Sequence, residues 1–314
     1  MRRSGIASAS VDPLEHVLGR LEEAAARHRE ADERVIAFVR EVEVLYANEL
    51  HGFVSDYERD PDLGRLLAPV LDETREYLLW LRWVGWNVAN LAPVLHADPG
   101  PAAARLAPAM LAYAGLRLID DGFDDHRSFK GHRRTVVGFL HERGDTAAAR
   151  AGVYSAFLGF CVFSYALQRI GPNGREPLDR LFAALSVGVL AEGLLDSATE
   201  LQIYEPIVRR KSGAYNLILY KPVLEGVEES LRLRLLGALA EMDSLAQLIN
   251  DFNDSDDDRA RAQMNAFDLF EPVQARQEAT RRLELLHAES LLLPVEVGDA
   301  LAAMLLNLGA GKLT

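Results

Sequence analysis

The feature that most limits what this chain can become is an apolar run, Pro108 to Ile119. It ends in four carboxylates: Asp120, Asp121, Asp124 and Asp125. The run reads as a largely buried helix, so its end sets acids at the edge of an apolar interior. On a helix, Asp120 and Asp124 stand at i and i+4, about 5–6 Å apart at Cβ, where like charges destabilise each other. A hard divalent cation relieves that repulsion, and Mg²⁺ is the usual choice where carboxylates and phosphate share an ion. Alone, such a cluster is more often a solvated helix end. A second acidic cluster far downstream shifts the balance.

The chain has 314 residues, 49% of them hydrophobic, and a net charge of −13. That length can bury a large core. The acidic balance argues against nucleic-acid binding through a basic surface. A polyanionic small substrate stays compatible if metal ions bridge it to the protein. Cys161, the single cysteine, lies in the apolar run Ala156–Phe163 and reads as a core residue rather than a nucleophile. Residues 1–10 lack the apolar stretch of a signal peptide and read as a disordered N-terminus. No run reaches the roughly 18 uninterrupted apolar residues of a membrane span, so a cytoplasmic protein with no membrane span is expected.

Periodicity predicts amphipathic helices over Val11–His28 and Ala31–Phe53, then a polar loop at Ser55–Asp62. A helix bent at Pro69 is expected to run to His96, with Trp80, Trp83 and Trp86 near one face as core, interface or cavity residues. The breaker Ala97-Asp-Pro-Gly-Pro101 precedes the central helix. A basic loop at Ser128–Arg134, a buried helix at Thr146–Arg169 and a turn at Gly171–Gly174 come next. Helices follow at Glu176–Val208, Ser212–Tyr220, Glu228–Asp254, Val273–Leu286 and Val295–Asn307. With no alternating strand pattern and no linker, residues 11–314 read as a single all-α domain.

The second cluster runs from Gln247 to Asp258. Asn250, Asp254 and Asp258 fall at i, i+4 and i+8, which gives one helical face three oxygen ligands. An EF-hand fails here, because a loop begun at Asp251 has Asp256 at the glycine position and Ala262 at the final Glu position. Between the two clusters, Arg209, Arg210, Lys211 and Ser212 read as a cationic helix break. Two acidic helix faces with cations beside them make a diphosphate clamp when metal ions bridge them.

On these motifs the sequence resembles the trans-isoprenyl diphosphate synthases and the class I terpene synthases that share their all-α fold. Asp120, Asp121 and Asp124 match the first aspartate-rich motif of that superfamily. Lys211 and Ser212 match its diphosphate-binding Lys-Thr pair, and Asp196 the acid of its Gly-Gln-x-x-Asp segment. Glu241 through Gln247 to Asn250-Asp251-x-x-Asp254 resembles the second aspartate-rich motif with its first Asp changed to Asn. The resemblance implies a helical bundle around a central apolar cavity and an allylic prenyl diphosphate as substrate. It further implies Mg²⁺, held as three ions on Asp120, Asp121, Asp124, Asn250, Asp254 and Asp258. Lys211, Arg210, Ser212 and Gln247 would grip the diphosphate, and a homodimer is expected. In such proteins the residues before the first motif floor the hydrocarbon pocket. Here these are Ala112, Gly115 and Leu116, without a ring, which points to a C15 or C20 chain; Tyr113 stands beside them.

The sequence also departs from the chain-elongating synthases. Their basic isopentenyl diphosphate segment is replaced by Asp72-Glu-Thr-Arg-Glu-Tyr77, and their Arg-Arg-Gly by Phe129-Lys130-Gly131, with Arg133 and Arg134 displaced. Their late Gly-Lys-x-Gly-x-Asp loop has no counterpart in Arg261–Phe270. Asn250, Asp254 and Asp258 resemble in position the Asn, Ser/Thr and Glu metal triad of terpene cyclases. The expectation is therefore a class I terpene synthase that ionises the allylic diphosphate and cyclises the cation. The alternatives are a trans-prenyltransferase using isopentenyl diphosphate or another acceptor, and a non-catalytic partner subunit of a prenyl synthase.

Overall fold

Two heptad-spaced glycine pairs let two helices meet backbone to backbone. They join α6 (Gly100–Phe123) to α9 (Ala151–Arg169), which run antiparallel. A Cβ on Gly115 would stand 2.8 Å from the Phe163 nitrogen, and one on Gly159 would stand 2.5 Å from the Gly115 carbonyl oxygen. The absence of side chains lets the two backbones touch.

The computed structural model describes residues 13–29, 32–59, 61–129, 133–170, 201–260 and 272–309, with a few positions between 183 and 194. The other elements are α1 (Pro13–His28), α2 (Asp32–Tyr57), α3 (Pro61–Trp80), a 3₁₀ turn (Leu81–Trp83), α4 (Val84–Ala89) and α5 (Ala92–Leu95). After α6 come β1 (Ser128–Phe129), β2 (Arg133–Arg134), α7 (Val136–Glu142) and α8 (Asp145–Ala148). After α9 come α10 (Leu201–Leu224), α11 (Glu229–Ala260), α12 (Pro272–Leu291) and α13 (Val295–Asn307). The class is all-α, and the chain gathers into two compact units.

The larger unit holds residues 31–194 and 205–232. Helix α2 supplies the buried stripe Phe38, Val42, Tyr46, Leu50 and Phe53, whose spacing follows the helical repeat. The Tyr46 hydroxyl donates to the Leu78 carbonyl at 2.7 Å, so this buried phenol is satisfied. From α10, the Tyr215 hydroxyl donates to the Leu116 carbonyl of α6 at 2.9 Å. The smaller unit holds residues 1–30, 195–204 and 233–314. There Val17, Leu18 and Leu21 bury one face of α1, and Arg27 clamps Asp299 of α13 through two bonds of 2.7 and 3.0 Å.

Several sequence expectations change. Helix α2 runs on to Tyr57 and α3 begins at Pro61, so the polar loop shrinks to a tight turn. Proline at the first turn of a helix removes only an N–H that lacks a partner anyway. Pro69 stays inside α3, and the chain breaks later, at the 3₁₀ turn Leu81–Trp83, before Gly85 packs against the side chain of Met110. Trp80 meets Trp83 and Phe129 edge-on, while Trp83 and Trp86 remain substantially exposed. The basic loop closes as a minimal hairpin, pairing Ser128 with Arg134 and Phe129 with Arg133. Helix α9 is buried on one face only, since Val153 and Phe157 are each 70% exposed; Cys161 on it is half-buried. The cationic stretch breaks nothing, because α10 continues through Arg209, Arg210 and Lys211, all strong helix formers.

Among the described residues, α6 and α9 are long and apolar enough to cross a membrane by length and composition. Helix α6 is buried along most of its length, as a core helix is. Residues 1–10, the expected turn at 171–174, Lys130, Asp196 and 261–270 lie outside the described residues.

Candidate metal and diphosphate site

The buried run of α6 carries Asp120 and Asp121 into the protein, at 6% and 0% exposure. The helix then stops. Asp124 caps it, and Asp125 takes a left-handed backbone with φ 49°. The His126 N–H turns back to the Asp121 carbonyl at 2.9 Å, as in helix endings that satisfy orphan carbonyls. Short polar Asp tolerates that conformation better than most residues do. Asp120, Asp124 and His126 thereby bring one potential ligand atom each to within 4.8 Å of one another.

A half-buried cation underlies the cluster. Arg117, one turn earlier, pairs with Asp120 at 2.7 Å and with Asp121 at 2.9 Å, and stacks over the Phe129 ring at 5.0 Å. The Tyr77 hydroxyl donates to the other Asp121 oxygen at 2.6 Å. Both oxygens of Asp121 are therefore engaged. Lys211 on α10 reaches the second Asp120 oxygen at 3.5 Å. Burial alone would raise the Asp120 carboxyl, but Lys211, Arg117 and His126 outweigh it and hold it below the usual range. The Tyr77 hydroxyl is pushed far up by burial and by the Asp121 charge, so it remains a donor.

Gly188 permits the approach at Lys211, since a Cβ there would lie 2.9 Å from the Lys211 nitrogen. Beside Lys211, Ser212 is half-buried and Arg210 exposed. Along α6, Ala112 and Leu116 are fully buried and Gly115 faces the backbone of α9. The half-open positions before Asp120 are instead Arg117 and Tyr113, the latter edge-on to Tyr215 at 5.4 Å.

A second feature of the larger unit is a set of paired charges on α3. Buried Glu73 takes Arg134 through both oxygens, at 2.5 and 3.3 Å, and Glu76 takes Arg133 at 3.2 Å. Arg75 turns to Asp72 at 3.1 Å.

In the smaller unit, positions 250, 254 and 258 lie on the unbroken α11, which keeps their i, i+4, i+8 relation. Asn250 is exposed; the side chains of Asp254 and Asp258 lie outside the described residues. Gln247 donates to the buried Asp251 at 2.6 Å. Sequence reasoning passed over Arg117 and His126. The available signal was a lone arginine inside an apolar run, three and four residues before the acids.

The donor set fits a divalent ion: two carboxylates and an imidazole converge, with cations beside them for an anionic ligand. No family model and no curated protein matches the sequence. Solved structures do match in fold. A geranylgeranyl pyrophosphate synthase from Corynebacterium glutamicum, complexed with isoprenyl diphosphate and magnesium, aligns with TM-score 0.64 at 16% identity, over 85% of this chain and 98% of that one. An FPP/GFPP synthase from Zymomonas mobilis aligns with TM-score 0.60 at 17% identity, over 88% and 98%. A polyprenyl synthase from Caulobacter crescentus, complexed with calcium and isoprenyl diphosphate, gives 0.60 at 14%, over 86% and 97%. The chain thus has the fold of the trans-isoprenyl diphosphate synthase superfamily.

Proposed function

We propose that this protein is a metal-dependent class I terpene synthase that ionises an allylic prenyl diphosphate, C15 or C20, and cyclises the cation. A bound divalent ion supplies charge neutralisation to the departing diphosphate. Lys211, half-buried and already aimed at Asp120, adds a preorganised positive charge where negative charge develops as the C–O bond breaks. Arg117 and Tyr77 fix the aspartates in place. Apolar α6 residues keep water from the cation. To Asn250, Asp254, Asp258 and Gln247 the reading assigns the second share of metal and diphosphate binding, and to the exposed face of α9 a homodimer contact.

The observation that carries cyclisation over chain elongation is the Glu73–Arg134 pair. A second diphosphate could recruit Arg134 only by leaving Glu73 buried without its partner, a loss on the order of 1–3 kcal/mol. The three solved structures of similar fold described above, each named as a prenyl-chain synthase, favour the second reading, a trans-prenyltransferase. One experiment separates the two. C10, C15 and C20 diphosphates are incubated with Mg²⁺, with and without labelled isopentenyl diphosphate. Inorganic diphosphate and an unlabelled, organic-soluble product are expected. Label in a longer prenyl diphosphate would establish the transferase instead.

A further inference from the structure

We infer that the first acidic cluster holds its ion through Asp120, Asp124 and a ring nitrogen of His126, with Asp121 an orienting group rather than a ligand. The inference rests on the metal-dependent reading above and specifies which side chains carry it out.

Asp121 is the least suited acid of the motif. It is wholly buried, with one oxygen bonded to the Tyr77 hydroxyl and the other to Arg117. An ion that took it would compete for oxygens already held by a charge-assisted bond away from solvent, and such bonds are the strong ones. His126 is placed to substitute. The left-handed turn at Asp125 carries its ring back over the helix end, and its carbonyl accepts from the Thr135 hydroxyl, which fixes the backbone there. Its Nδ1 lies 3.5 Å from Asp121 and 3.4 Å from Arg117 Nη2, and its side chain is 15% exposed; a proton on Nδ1 turned to Asp121 leaves Nε2 for the ion. A carboxylate beside a ligating imidazole is the common way to fix a ring's orientation toward an ion. Asp120 can serve both tasks: its bond to Arg117 is short, whereas the 3.5 Å contact with Lys211 is the one to exchange for an ion.

The chemistry of the set follows. Mg²⁺ favours oxygen ligands, whereas imidazole suits later divalent ions. An O, O, N set raises the affinity for Mn²⁺ or Co²⁺ relative to Mg²⁺ beyond what an all-carboxylate motif gives.

The test uses Mn²⁺, titrated into the full chain with and without inorganic diphosphate and followed by electron paramagnetic resonance. The wild-type protein is expected to show nitrogen hyperfine coupling to bound Mn²⁺. His126→Gln should lose that coupling and bind Mn²⁺ about 10–100-fold more weakly, with a smaller loss for Mg²⁺. Asp121→Asn should keep the coupling. Bound Mn²⁺ without nitrogen coupling, or unchanged Mn²⁺ affinity in His126→Gln, would overturn the inference and leave the proposed function standing. No Mn²⁺ binding even with diphosphate would overturn both. Should His126→Gln fail to fold, the wild-type spectrum decides alone.

Discussion

Gly122 of α6 and Gly152 of α9 face each other so closely that a Cβ on Gly122 would fall 2.5 Å from the Gly152 carbonyl oxygen. The obstacle is backbone, which cannot turn aside as a side chain can. Gly122→Ala should therefore destabilise the protein by about 1–3 kcal/mol, the usual scale of overpacking. Gly237→Ala on α11, where nothing lies within 4 Å, should stabilise it by about 0.5–1 kcal/mol. Urea unfolding of both variants checks the contrast. Equal effects would mean that helix propensity alone governs these positions.

These glycines also mark what the sequence conceals. Gly115, Gly122, Gly152 and Gly159 each look like a weak point in a helix, and only the antiparallel pairing of α6 with α9 gives them a role. The helices themselves were legible, because their apolar stripes repeat at the helical period. Their interruptions were not: Arg209 to Lys211 looked like a break, though charge does not terminate a helix. At the site, the i, i+4 relation of Asp120 and Asp124 could be read from spacing. The buried partners of Asp121 could not, since Tyr77 lies 44 positions away along the chain. Glu73 and Glu76 were legible as a deficit of positive charge on α3. That Arg134 and Arg133 neutralise them depends on the hairpin, which two-residue strands do not announce.

Lys211→Ala should slow diphosphate release from an allylic substrate by about 10²–10³-fold, the size of losing one preorganised charge-stabilising group. Alanine suits the interior of α10, so the fold should hold. Single-turnover assays with circular dichroism separate the two effects. A normal rate would leave the charge-stabilising role to exposed Arg210.

Arg134→Ala should destabilise the protein by about 1–3 kcal/mol, because it leaves the Glu73 carboxylate buried and unpaired. Adding Glu73→Gln should restore most of that loss. Glu73→Gln alone leaves Arg134 paired only with the exposed Glu142 and should strengthen binding of isopentenyl diphosphate, measured by calorimetry. A double variant no more stable than Arg134→Ala would show that the pair is not coupled.

His287 on α12 gives the smaller unit an acid-sensitive point. Both its ring nitrogens are shielded from water without a hydrogen-bond partner. Burial, with Arg20 and His16 nearby, lowers its pKa below the ordinary histidine value. The folded state therefore binds this proton less readily than the unfolded chain does. The contribution of neutral His287 is fully present above the unfolded value of about 6.5. It is lost as pH falls through that value toward the lower folded one. Thermal melts from pH 8 to 5 should show a loss that His287→Leu reduces. Identical pH slopes for the two proteins would remove His287 from the account.

Tyr113 is the half-open ring one turn before Arg117 and two before Asp120, held edge-on against Tyr215 at 5.4 Å. Gly115 faces the α9 backbone instead, so its lack of a side chain adds no room on the open side of α6. If an allylic chain extends from the diphosphate along α6, the Tyr113 ring is the first bulk it meets. Tyr113→Ala removes that ring while Tyr215 keeps its bond to the Leu116 carbonyl, so the helices should stay in register. The variant should raise kcat/KM for the C20 diphosphate relative to C15 by about tenfold, equivalent to about 1.4 kcal/mol, within the range for one or two methylenes in an apolar pocket. Competition between the two diphosphates in one mixture gives that ratio directly. An unchanged ratio would place the end of the hydrocarbon chain elsewhere, and turnover of the C10 diphosphate alone would rule out a long substrate altogether.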